Sequence, residues 1–220
     1  MGFTLIELLV VVAILSLLAG MLSPALKRAR DSARQIHCVN NLRNIGNAIN
    51  LYAQDNNEYL PHAGDPYTPL SSPNATWKYL LAPYLQITTR TTSTLERGIF
   101  HCTAKGNKAL SNTIYGDKGF YGGYGWNFRY LGWRDVDEGS WLGWIKLSQV
   151  DKPAETIVVG DTNDDYLSGA EPRYVFFINE TLAASSRHNG GGNYLWLDVH
   201  VSWQTSAETA KNYKWFYRQK

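Results

Sequence analysis

Hydrophobic and polar positions divide this chain unevenly. From Phe3 to Leu22 nearly every residue is apolar, a stretch of about 20 residues, the length that crosses a bilayer as a helix. Glu7 is the one charged residue in it. Beyond Pro24 the pattern changes. Leu26, Ala29, Ala33, Ile36, Val39, Leu42, Ile45, Ile49 and Tyr52 recur at three- or four-residue steps, with Arg28, Arg34, Asn40, Asn44 and Asn47 between them. That spacing predicts an amphipathic helix, continuous with the apolar stretch and packed on a head. It stops at the turn cluster "DNNEYLP". Residues 57–150 are irregular, with a short helix expected in "ATWKYLLAPYLQ" and Gly- and aromatic-rich loops after it. Three later runs read as strands: "TIVVGD", "RYVFFIN" and "NYLWLDVHVSW". In the last, Leu195, Leu197, Val199, Val201 and Trp203 are expected on one face. Helix first and antiparallel strands later is an α+β plan.

Composition narrows the function more than the fold. The chain has 220 residues and a net charge of +2, with only 18% charged residues. No basic field calls for nucleic acid. Eight Trp and 14 Tyr supply either a core with few aliphatics or platforms that stack on sugars. No Gly-rich phosphate loop or Ser nucleophile elbow is present.

Glu7 is the residue that needs an explanation. A carboxylate in hydrocarbon costs about 2.5–3.5 kcal/mol on insertion scales. A secretory signal peptide wants basic residues ahead of the apolar run, and "MGFT" has none. A plain anchor gains nothing from an acid. An intramembrane acid with a partner accounts for it. "GFTLIELLVVVAIL" resembles the N-terminus of type IV prepilins and type II secretion pseudopilins. The resemblance implies cleavage by a prepilin peptidase between Gly2 and Phe3 and methylation of the new Phe3 terminus. It also implies that Glu7 neutralises the Phe3 amine of a neighbouring subunit as helices bundle. Pro24 stands where pilins kink this helix, since proline removes a backbone donor. The implied division is 1–2 as leader remnant, 3–25 as transmembrane and polymerisation helix, 26–56 as its amphipathic continuation, and 57–220 as an aromatic-rich globular head. The implied fold is a long N-terminal helix on a small antiparallel sheet.

The likeness continues along the chain. One group of pseudopilin-like proteins ends with His, nine residues, then Asp-Gly. Here His188 is followed by nine residues and Asp198, with Val199 in place of the Gly. "CVNNLRNIGNAINLYAQDN", "WKYLLAPYL", "FHC" and "GYGWN" are similar to the same group. A head outside the cytoplasm favours a disulfide between Cys38 and Cys102; two buried thiols is the other reading. Asp161, Asn163, Asp164 and Asp165 fall within five residues, and oxygen ligands so spaced suit Ca²⁺. Major pseudopilins are similar in having a calcium-stabilised loop, and a solvated acidic turn is the alternative. His188, Asp198 and His200 read either as a hydrogen-bonded turn or as metal ligands.

The function expected from all this is a structural, non-enzymatic subunit of a pilus or pseudopilus. Its partners would be copies of itself, a prepilin peptidase and inner-membrane assembly machinery. It would sit in the bacterial inner membrane with its head outside the cytoplasm, then in a filament. The runner-up is a tethered module that binds glycan or another substrate.

Overall fold

A computed structural model describes residues 4–62, 77–89, 98–104, 123–127, 131, 145–161 and 187–212. Helix α1 runs unbroken from Leu5 to Asp55. Thr4 starts it: its hydroxyl accepts from the Glu7 amide while the Glu7 carboxylate accepts from the Thr4 amide, a capping box. Pro24 lies inside the helix. The helix ends where Asn57 and Glu58 adopt left-handed backbone and the Glu58 amide donates to the Ala53 carbonyl.

The head is a four-stranded antiparallel sheet in the order β1-β2-β3-β4, made of β1 (Tyr124–Trp126), β2 (Ile157–Asp161), β3 (Gly191–Trp196) and β4 (Val201–Thr205). Short helices α2 (Trp77–Leu81) and α3 (Ser206–Lys211) flank it. A long helix on a small antiparallel sheet is the α+β plan the sequence predicts. The C-terminal half of α1 lies against β3 and β4. Its buried residues are Cys38, Asn41, Leu42, Ile45, Gly46, Ala48, Ile49 and Ala53, and of these Cys38, Leu42, Ile45, Ala48 and Ile49 share a core with Trp77, Phe100, Trp126, Val159, Leu195 and Leu197. Trp77 and Phe100 meet edge to face, with ring centroids 5.3 Å apart. The indole N–H of Trp126 donates to the Leu131 carbonyl at 3.2 Å. Trp126 is therefore core and not a sugar platform; Trp133, Trp141 and Trp144 lie outside the described residues.

Two expectations change. The helical stripe docks only from Cys38 onward, and Leu26 and Ile36 stay about 60% exposed. The sheet lies beside the second half of the amphipathic stretch alone. The run "NYLWLDVHVSW" is a hairpin, β3 and β4, and not one strand. The chain reverses at Asp198–His200. The Val199 amide donates to the Trp196 carbonyl, the Trp196 amide to the His200 carbonyl, and Asp198 Oδ1 accepts from the His200 amide. Val199 takes φ +75° to make the reversal, so Leu195–Trp203 cannot form a single face. "RYVFFIN" lies outside the described residues.

Candidate functional site

Two places on the molecule carry groups that a bare scaffold would not need. The first is the start of α1. Glu7 Oε2 accepts hydrogen bonds from the amide and hydroxyl of Thr4, both at 2.8 Å. Thr-x-x-Glu is legible in the sequence as a capping pattern, yet the reading of Glu7 above passed over it. Glu7 therefore has a partner within its own chain. Around it the helix is bare: from Leu5 to Leu22, Leu5 is 79% exposed and Val11, the least exposed large aliphatic of that stretch, 48%. This is the one helix among the described residues long and apolar enough to cross a membrane. Gly2 and Phe3 lie outside the described residues.

The second place is buried between helix and sheet. α1 delivers Cys38, the loop after Phe100 delivers Cys102, and the two sulfurs stand 3.2 Å apart as thiols. They come together as the sequence analysis expects, without the covalent bond. His188 arrives from the turn that enters β3. Paired backbone hydrogen bonds with Gly191 hold it there, and its carbonyl accepts from the Trp203 indole at 2.7 Å. Its Nε2 lies 3.2 Å from Cys102 Sγ and 3.4 Å from Asp161 Oδ2. Asp161 ends β2 with no exposed surface, and its Oδ2 accepts from the amide and side chain of Asn193. Its Oδ1 has no hydrogen-bond partner. Gly123, at φ +60°, passes so close that a Cβ there would stand 2.5 Å from the Cys102 amide nitrogen.

The electrostatics of the pocket are strongly coupled. The shared hydrogen bond with Cys102 pulls Cys38 below the ordinary thiol range, and the same bond with burial pushes Cys102 up. Burial raises the Asp161 carboxyl to about 6, against the pull of His188 and the Asn193 amide. Burial also works against a charged His188, but Cys38 and Asp161 outweigh it and raise the imidazole.

The remaining predicted residues separate. His188 does not join Asp198 and His200 in one ligand set. It faces Cys102 and Asp161, while Asp198 and His200 are joined by an exposed side-chain hydrogen bond at the hairpin turn. Trp196 stacks on the His200 ring with centroids 5.1 Å apart. Asp161 is turned into the sheet instead of lying in a solvated acidic turn; Asn163, Asp164 and Asp165 lie outside the described residues. No local signal along the chain announces that Asp161 and His188 join the cysteines.

Two family models match. Residues 2–23 match the prokaryotic N-terminal methylation motif, which takes in Gly2, Phe3 and Glu7. Residues 27–88 match the family described as "Protein of unknown function (DUF1559)". Among curated proteins, the type II secretion system core protein G of Aeromonas hydrophila is 40% identical over 58 residues, 26% of this chain and 41% of that protein. Its namesake from Pectobacterium carotovorum subsp. carotovorum is 36% identical over 58 residues, 26% of this chain and 37% of that one. The Vibrio cholerae protein of the same name is 40% identical over 58 residues, again 26% of this chain and 40% of its own length. The chain thus spans about two fifths of the length of the curated relatives it matches. No solved structure matches it.

Proposed function

We propose that this chain is a structural subunit of a type II secretion-like pseudopilus or a pilus, assembled through α1 after cleavage at Gly2 and methylation of Phe3. The observation that carries the reading is the bare apolar half of α1 with Glu7 near its start. Large aliphatics exposed all round a helix need lipid before assembly or sister helices after it. Within such a bundle the Glu7 carboxylate neutralises a neighbouring Phe3 amine, and pairing in low dielectric fixes the register of one subunit on the next. The peptidase, the assembly machinery and the location outside the cytoplasm follow from this reading, and its role is scaffolding with no catalytic step.

Glu7→Ala removes both the charge and the capping-box carboxylate, whose loss costs the helix about 0.3–1.5 kcal/mol. Glu7→Gln removes the charge alone, because Gln also serves at this position of a capping box. Both variants are expected to reach the membrane at normal levels and to yield almost no sheared filament. Filaments from Glu7→Gln at normal yield would reduce Glu7 to a helix cap and remove the pairing account.

A further inference from the structure

Cys38, Cys102, His188 and Asp161 come from four separate stretches of chain and meet in one buried place. The donor atoms of the two cysteines and His188 all lie within 4.8 Å of one another. We propose that these residues form a site for a soft divalent metal ion, zinc in kind. Cys38, Cys102 and His188 Nε2 are its three ligands, and the Asp161 carboxylate is a supporting group beside them, 3.4 Å from Nε2. The site is independent of the filament reading.

Three observations support it. The first is spacing. Zinc bonds of about 2.3 Å to sulfur and about 2.0–2.1 Å to nitrogen or oxygen set tetrahedral donor–donor edges at about 3.4–3.8 Å. The edges here are 3.2 Å between sulfurs and 3.2 Å from Cys102 Sγ to His188 Nε2, and the three donors all lie within 4.8 Å of one another. A disulfide needs its sulfurs at about 2.05 Å, further from what is seen than the metal edge is. The second is proton count. His188 Nε2 faces both a thiol and a carboxylate, and one ring N–H serves only one acceptor well. A cation at the centre serves every donor at once. The third is burial: Cys38, Cys102, His188 and Asp161 are all buried, and Asp161 Oδ1 has no hydrogen-bond partner among the described residues, so these polar groups cost free energy unless something answers them. Two sulfurs and an imidazole select zinc-like ions over calcium or magnesium. Binding releases the two thiol protons to solvent. Because the place is closed, the ion enters as the head folds. Once there it ties α1 to the Cys102 loop and to the turn before β3.

The test uses the full chain in detergent, purified without chelator. Inductively coupled plasma mass spectrometry is expected to find about one zinc per chain. The metal-free chain refolded with Co²⁺ is expected to show thiolate-to-cobalt charge-transfer absorption and the visible bands of a tetrahedral site. Both cysteines should resist alkylation until a chelator and mild denaturant are added. Cys102→Ser should lose the charge-transfer band. Because that variant risks misfolding, Asp161→Asn serves beside it: it keeps the hydrogen-bonding shape and should weaken zinc by about 10–100-fold, as loss of a supporting carboxylate does, with unchanged circular dichroism. A folded chain that carries no zinc and gives no cobalt charge transfer overturns the proposal. So does a Cys38–Cys102 disulfide found by non-reducing peptide mapping of protein taken from its own membranes.

Discussion

Val199 holds φ at +75°, a region a β-branched residue almost never enters. A left-handed backbone costs an L-residue roughly 1–2 kcal/mol, and the His-x9-Asp-Gly pattern that this stretch resembles would put Gly at this place. The structure shows what faces the substitution. A Cβ on Gly46 of α1 would stand 2.8 Å from Val199 Cγ1 and 2.9 Å from Leu195 Cδ1. Leu195 can swing its methyl; Val199 is stiff at χ1. Gly46 and Val199 therefore read as one pair, in which the bare helix position makes room for the valine. Gly46→Ala alone should destabilise the head by about 1–3 kcal/mol through overpacking, even though Ala is the better helix former. In a Val199→Gly background most of that penalty should vanish, a coupling of about 0.5–3 kcal/mol in a double-mutant cycle. Denaturant unfolding of the full chain in detergent measures it, and additive effects would dissolve the pair. The departure from Gly was visible in the sequence. Its partner was not, because position 46 meets position 199 only through the fold. The same blindness explains the hairpin: Asp198-Val199-His200 holds neither Gly nor Pro, so nothing local announces a reversal.

Helix α1 is one element with two environments. Its 3.6-residue period was legible from Leu26 onward, and Leu42, Ile45 and Ile49 are buried as the spacing predicts. Where burial begins was not legible, because Leu26 and Ile36 keep the same period while lying beyond the reach of the sheet. Mutations along one stripe should therefore split into two classes. Ile45→Ala should cost about 2–5 kcal/mol of head stability, the usual penalty for emptying a packed site. Ile36→Ala should stay within about 0.5 kcal/mol, as surface changes do. Unfolding curves for the two variants decide it. A large loss from Ile36→Ala would mean that the head reaches further along the helix than the described residues show.

The molecule as a whole is a rod with a head at one end. The 51 residues of α1, at about 1.5 Å each, extend about 77 Å, and the apolar part of that length touches nothing else described. Such a chain should stay with the membrane pellet through an alkaline carbonate wash, and release into the supernatant would remove the membrane-spanning reading. This division into rod and head was the most legible feature of the sequence, because hydropathy and period are local properties. The buried cluster was the least legible, because 64 residues separate its cysteines and 86 more separate Cys102 from His188. Its position has a mechanical meaning. Cys38 is the first fully buried residue of α1, so it stands at the root of the rod. Any tension or torque applied along the bare helix enters the head there before it reaches Leu42 or Ile45. Packing contacts yield gradually as they are peeled, whereas coordinate bonds resist until one breaks. A fastening at Cys38 would make the root of the rod stiff and its failure abrupt, so the head would turn with the helix instead of trailing behind it.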